Sequence, residues 1–413
     1  MLNWADQFNI FSFLDTHGYE QPLSAQSCLL GAGAHTSISC DAGQAFNRLQ
    51  ELLNTTQDWI FGHLSYELKN ETESLVSKHK DGIGFDDLRF FVPDILLRLT
   101  DHELLIGVLK GEPSEIWDQL NAIQPARIDP VEEIGIHSRF SKEEYIDTVE
   151  KIRAHIHRGD CYELNFCQEF YAQSKGFDPI QAYSRLSATS PNPFSALYKN
   201  EHRYLICASP ERYLCRRGQK VYSQPIKGTA PRILNDPEKD LGQLHELKNS
   251  SKERAENIMV VDLVRNDLSR VCVEGSVRVE ELCEVYSFPQ VHQMISTISG
   301  QLPNGIGSTE VLKHSFPMGS MTGAPKRKVL ELIERYEKTK RGLFSGAVGY
   351  FAPDGDFDFN VVIRSLFYND DTGYLSFQVG SGITYYANAA AEYEECLLKA
   401  EAIKKVLTGF GQH

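Results

Sequence analysis

Apolar residues recur at helical spacing in a few stretches and as short runs elsewhere. Ile146, Val149, Ile152 and Ile156 return every three or four positions, the period of one helix face. Ser141 precedes them with Glu144 three residues on, a capping box, and Gly159 follows as a stop. The spacing predicts a helix over about residues 142–157. A second helical run covers about 251–268. A third, rich in alanine, leucine, glutamate and lysine, covers about 390–407. Other apolar runs are short and end in turn residues, as in Leu29-Leu30-Gly31-Ala32-Gly33, Trp59 to Tyr66 and Phe90 to Leu97. They predict strands of a mostly antiparallel sheet in residues 1–125. Residues 203–226 and 344–386 read as strands too, with turns at Arg217-Gly218-Gln219, Asp354-Gly355 and Asp370 to Gly373.

Strands dominate both halves, and the helices do not alternate with them one for one. That favours an α+β architecture over a doubly wound parallel sheet. The polar stretch Gln124 to Glu133 carries two prolines and acidic residues. It reads as a connector between an N-terminal mostly-β region, 1–125, and a core, 134–413.

The formal net charge of −14 comes without a basic stripe, so nucleic acid is not an expected partner. Nine cysteines lie at irregular spacing with no C-x-x-C pair, which points to a reducing compartment. The start Met1-Leu2-Asn3-Trp4-Ala5-Asp6 lacks the pattern of a signal peptide, and no run of ~18 apolar residues predicts a membrane span. The expected location is the cytoplasm.

Several charged residues sit where the pattern predicts burial. Lys227 lies between Pro225 and Gly228 at a strand end. It is either a solvated surface lysine or an amine nucleophile, which must shed its proton through desolvation or nearby cations. Glu256 shares a helix face with Val260 and Leu263, and a carboxylate there needs a cation. Glu392, Glu395 and Lys399 share one face of the last helix, where Glu395–Lys399 also fits an ordinary i, i+4 pair. Arg364 interrupts an apolar strand and needs an anion, either a ligand or a buried partner such as Asp267 or Asp262. Gly380-Ser381-Gly382 would bring backbone N–H groups against a carboxylate.

Four segments carry a family resemblance: Ser209-Pro210-Glu211-Arg212, Pro225-Ile226-Lys227-Gly228-Thr229, the run Ala255 to Asp267, and Phe316 to Lys326. Over roughly residues 140–407 the chain resembles the chorismate-utilising enzymes, which include anthranilate, isochorismate and aminodeoxychorismate synthases. The resemblance implies two large facing antiparallel sheets with helices packed outside, as one compact unit. Lysine at 227, where anthranilate synthases carry alanine, points to the aminating branch.

That branch implies the following roles. Lys227 adds covalently to the chorismate ring, and Glu211, on the preceding strand of a hairpin, protonates the departing hydroxyl. Glu256 and Glu395, with Glu392 beside them, bind Mg²⁺, which grips the ring carboxylate. Arg364 takes the enolpyruvyl carboxylate, Gly380, Ser381 and Gly382 bring backbone N–H groups against a carboxylate, and Thr229 and Lys399 are lesser carboxylate contacts. The product would be 4-amino-4-deoxychorismate, on the way to p-aminobenzoate and folate. The chain has no cysteine in a G-x-C-x-G turn. Ammonia is therefore expected from a separate glutamine amidotransferase subunit or from solution.

The competing readings are an anthranilate or isochorismate synthase-like enzyme and a non-catalytic chorismate-binding paralogue. Gln293 stands where the lyases carry histidine, with His292 one residue early; on a strand that step turns the side chain to the other face. Near the start, Asp15-Thr16-His17-Gly18-Tyr19 replaces the serine-containing segment of tryptophan-binding members, although Pro193-Phe194-Ser195 is present. The resemblance does not extend to tryptophan. Asp262, Arg265, Asn266 and Asp267 are expected to support the helix. Gly319, Thr322, Gly323 and Lys326 form either a pocket wall or a packing turn.

Overall fold

The helix predicted behind Ser141 spans Lys142–His157, with both halves of its capping box formed. The other two predicted helices span Ser251–Ser269 and Ala389–Thr408. The computed structural model of the protein describes residues 1–19, 28–123 and 133–408. The predicted connector lies almost wholly outside them. Two antiparallel sheets dominate, of eleven and ten strands among the described residues. The first runs from Gly323–Ala324 through Glu163–Gln173, Tyr374–Thr384, Ser365–Asn369, Arg203–Ser209 and Phe194–Asn200 to N-terminal strands including Ile10–Asp15. The second runs from Ile226–Pro231 through Val291–Gln301, Lys220–Gln224 and Arg212–Arg217 to N-terminal strands including Ile60–Leu64. Strands from residues 1–125 thus complete both sheets.

Aromatic residues from both sheets, among them Phe61, Phe90, Tyr198 and Phe359, share one buried core. A second core lies where helices cover the first sheet, with Ile152, Leu186, Leu330 and Ile403 against Phe166 and Phe377. The chain passes from the first sheet to the second at Ser209-Pro210-Glu211-Arg212. Glu211 therefore lies in this corner, not on the hairpin strand expected. Its backbone is held by the Ser209 hydroxyl, which accepts from Glu211 N–H at 3.2 Å, and by Val361 N–H, which donates to its carbonyl at 3.0 Å.

Six further helices of eight or more residues were not read from the pattern: Ala45–Thr55, Pro113–Ala122, Pro179–Thr189, Pro237–Asn249, Ser308–Ser315 and Lys326–Tyr336. Their start signals are present in places. Asp178 and Asp236 cap two of them just ahead of a first-turn proline. Most are about three turns long, so the apolar stripe is too brief to separate from a strand by period alone. No helix among the described residues is long and apolar enough to cross a membrane.

Candidate active site

Lys227 lies on the edge strand Ile226–Pro231 of the second sheet, where the register slips between Ile226 and Thr229. Gly228 adopts φ +89 in this slip. A Cβ there would meet the Glu253 carboxylate at 3.0 Å, so glycine suits both the angle and the space. The Lys227 side chain is 14% exposed, and its Nζ donates to Glu163 Oε1 at 2.8 Å. Glu163 opens the Glu163–Gln173 strand of the first sheet, and its other oxygen, Oε2, is buried without a hydrogen-bond partner. Gly382 leaves room for this pair. A Cβ on it would stand 3.0 Å from both Lys227 Nζ and Glu163 Oε1.

The charge around the amine differs from the expectation. Burial is the largest single influence and pulls the Lys227 pKa down. Glu163, Glu256 and Glu211 together outweigh it, and the net shift is upward. The amine sits among anions, not cations, and is protonated in this arrangement. The expected depression is corrected accordingly. Burial pushes the Glu211 carboxyl up to about 7, against the opposing influence of the Ser320 hydroxyl, Lys227 and the Ile226 N–H.

Burial likewise pushes Glu256 up to about 7, opposed first by Lys227 and Lys252. Lys252 Nζ lies 3.9 Å from Glu256 and 3.7 Å from the buried Glu392, so one lysine serves both carboxylates. Glu392 also accepts from the Ser381 hydroxyl. Glu395 pairs with Lys399 at 2.7 Å, and Lys399 donates to the Gly380 carbonyl at 3.1 Å. Among the described residues no three His, Cys, Asp or Glu side chains close on a point as a finished metal cage. The donor set nevertheless fits a hard dication. It consists of carboxylates, and Glu256 Oε1 is buried with no hydrogen-bond partner.

Arg364 sits one residue ahead of the Ser365–Asn369 strand, not within it. Its φ of +52 is left-handed, a strain of about 1–3 kcal/mol for a side-chain-bearing residue. Its two suggested partners are engaged elsewhere. Asp267 pairs with Lys326 at 2.8 Å, and Asp262 with Arg265 at 2.8 Å. Among the described residues no hydrogen bond or ion pair reaches the Arg364 guanidinium. Burial lowers its pKa, opposed by the charge of Glu395. Beyond Phe377 the Tyr374–Thr384 strand, which carries Gly380, Ser381 and Gly382, pairs only with Glu163–Gln173. Thr229 is exposed, opposite Gln293 in register, and makes no hydrogen bond to the cluster.

The glycine-rich segment acts as both wall and packing turn. Its Ser320 reaches Glu211. The Thr322 carbonyl accepts from Asn165 N–H at 2.8 Å, and Gly323 and Ala324 pair with Leu164 and Glu163. A Cβ on Gly323 would lie 2.1 Å from the Glu163 carbonyl oxygen. His292 is buried away from this chemistry, bonded to Ser287 at 2.9 Å and Asp240 at 3.2 Å. A cavity lined by Asp15, Thr16, Pro193, Phe194 and Ser195 has a volume of about 60 Å³, well below the ~150 Å³ that accepts benzene.

Glu163, Lys252 and Ser320 were not singled out from the sequence. Glu163 carried little signal, since it opens a strand that also holds the polar residues Asn165, Gln168 and Glu169 and follows the exposed Tyr162.

Residues 15–405 match the family model described as chorismate binding enzyme. The chain is 35% identical over 355 residues to aminodeoxychorismate synthase component 1 of Escherichia coli K12, covering 85% of this chain and 77% of that one. It is 41% identical over 349 residues to the protein of the same name from Salmonella typhimurium, covering 84% and 76%. Anthranilate synthase component I of Streptococcus pneumoniae superposes with a TM-score of 0.81 at 25% identity, over 94% of this chain and 93% of that one. The fold is shared with the menaquinone-specific isochorismate synthase of Escherichia coli, at a TM-score of 0.78 and 17% identity over 98% and 91%. With its two facing sheets and nearly its whole length matched, the chain belongs to the chorismate binding enzyme family.

Proposed function

We propose that this chain is an aminodeoxychorismate synthase component 1, which converts chorismate and ammonia to 4-amino-4-deoxychorismate. One observation carries the reading: a largely buried lysine amine among carboxylates, next to a buried carboxyl whose pKa is raised to about 7. The Lys227 nitrogen bonds to the ring as the double bond shifts and the hydroxyl leaves. Glu211 gives that hydroxyl its proton, so water departs rather than hydroxide. Ammonia then adds at the vacated carbon, the double bond shifts back, and the lysine is released. Two displacements replace one difficult substitution.

Arg364 is the residue we assign to the enolpyruvyl carboxylate, because among the described residues no hydrogen bond or ion pair reaches its guanidinium and its strained backbone holds it just ahead of a strand. Gly380, Ser381 and Gly382 lie on the neighbouring strand, and Thr229 and Lys399 are outer contacts. Glu256, Glu392 and Glu395 would hold Mg²⁺, which when bound supplies positive charge against the ring carboxylate. Ammonia would come from a separate glutamine amidotransferase subunit, in keeping with the "component 1" of the relatives' names. We place the chain in the cytoplasm, where its nine unpaired cysteines stay reduced, on the route to p-aminobenzoate and folate.

The test is a product assay with chorismate, Mg²⁺ and ammonium. Aminodeoxychorismate, identified by mass, is the expected product. Anthranilate, isochorismate or unchanged chorismate would overturn the assignment.

A further inference from the structure

The nucleophile's partner is the feature that the proposed reaction leaves unexplained. Lys227 Nζ has one hydrogen-bond partner among the described residues, Glu163 Oε1 at 2.8 Å. The Glu163 side chain is 3% exposed, and its second oxygen is buried with no donor. A purely structural carboxylate in such a place would have its lone pairs filled, since an unmet buried acceptor costs about 1–3 kcal/mol.

The backbone that carries Glu163 is tied down on several sides. Gly323 and Ala324 pair with Leu164 and Glu163, and Thr322 accepts from the Asn165 N–H. Arg341, itself fully buried, donates to the Asn165 carbonyl at 2.7 Å. Gly382 faces the pair with no side chain in the way. The other carboxylates that act on the amine are Glu211 from the corner between the sheets, Glu253 and Glu256 from the Ser251–Ser269 helix, and Glu395 from the Ala389–Thr408 helix. Among the described residues none of these four hydrogen-bonds it.

We propose that Glu163 is a catalytic residue, the base that takes a proton from the Lys227 ammonium before attack and returns it after release. The inference rests on the amination reading above. In the first step the proton passes from Nζ to Oε1, leaving a neutral amine and a neutral carboxyl. The amine then forms its bond to the ring as the hydroxyl leaves with the Glu211 proton, giving a secondary ammonium, water and ionised Glu211. Ammonia adds, Lys227 departs as the neutral amine, and the new ring ammonium passes a proton to Glu211. Glu163 finally returns its proton to Lys227. Chorismate and ammonia have become aminodeoxychorismate and water, and all three side chains are restored.

The experiment compares the full-length chain with Glu163→Gln, which keeps size and polarity but cannot accept the proton. Three quantities are read. They are amination turnover against pH, chorismate affinity by fluorescence titration, and the rate at which the Lys227 adduct appears by mass spectrometry when ammonia is withheld. The expected result is a fall in turnover and adduct rate of ~100-fold or more near neutral pH. That loss should narrow as pH rises and solvent takes the proton, with affinity within about threefold of wild type. Glu163→Asp, which keeps the acid on a shorter arm, should recover part of the rate. It also carries the same comparison should the glutamine variant not fold, since an aspartate variant at wild-type rate over the whole pH range is not what a geometrically placed base predicts. Glu163→Gln turning over within threefold of wild type near neutral pH, or working at lower pH than wild type, would overturn the inference. The latter would mean that Glu163 only holds the lysine charged. Wild-type protein that makes no amino product defeats the amination reading instead, so the two failures are told apart.

Discussion

Two arginines, Arg341 in the loop ahead of the Ala347–Phe351 strand and Arg364 just ahead of Ser365–Asn369, show how this molecule separates structural charge from charge kept for a ligand. Arg341 is fully buried, and each of its five N–H groups is used. It donates to both Glu337 oxygens at 2.6 and 3.0 Å, to the carbonyls of Met321 and Asn165 at 2.7 Å each, and to Ser345 at 3.3 Å. Arg364 has none of this and sits in left-handed backbone. Two carboxylates around Lys227 are also incompletely satisfied, with Glu163 Oε2 and Glu256 Oε1 both unpartnered. The satisfied guanidinium ties the Glu163–Gln173 strand to the turns at Met321 and Ser345 and to the end of the Lys326–Tyr336 helix. An unsatisfied one is tolerated only where something else supplies its counter-charge.

The sharpest break of this contrast comes from Lys227→Ala. The open cluster should lose amination by more than ~10⁴-fold, as for loss of a covalent nucleophile. Mass spectrometry should show no adduct, while chorismate still binds. A variant that aminates at the wild-type rate would return Lys227 to the structural class.

Next comes a paired measurement. Arg341→Met should lower unfolding free energy by about 3–5 kcal/mol, the usual cost of stranding a buried partner charge. Arg364→Met should change it by less than about 1 kcal/mol and instead raise the chorismate KM by ~10- to 100-fold, the worth of a charge-assisted hydrogen-bonded contact. Equal losses of stability in denaturant titrations would erase the distinction.

The smallest effect is a pH dependence. Glu211 releases its proton near ~4.3 in the unfolded chain and at about 7 in the folded one. Between those values the unfolded state loses the proton and the folded state keeps it, so stability falls as pH rises through the window. Wild type should therefore lose about 1–3 kcal/mol relative to Glu211→Gln from the bottom of that window to the top. A difference that stays flat with pH would mean that the carboxyl is not held protonated.

What could be read in advance varied across the molecule for reasons of length and range. The helix behind Ser141 was legible because its caps and its stripe are local and mutually consistent. The shorter helix Lys326–Tyr336 was not, although it buries Val329, Leu330, Leu332 and Ile333. Arg364 was recognised as needing an anion, yet placed one residue too deep in its strand, because a left-handed turn at an arginine has no sequence signal. Desolvation or nearby cations were expected to hold the Lys227 pKa down, whereas the neighbouring groups include Glu163, 64 residues before it on the other sheet, and Glu256, on a helix following it.

By itself the sequence determined that some residues, Glu256 and Arg364 among them, carry charge into apolar surroundings, where the principal long helices begin and end, and that strands predominate. These depend on spacing and on side chains only a few positions apart. The tertiary structure alone decided which charges meet. Glu163 reaches Lys227 because two sheets face each other, and Arg341 rather than Arg364 has its donors filled because Met321, Asn165 and Glu337 converge on it from separate elements. Electrostatic energy depends on separation in space and on exclusion of water, and neither is encoded at any one position.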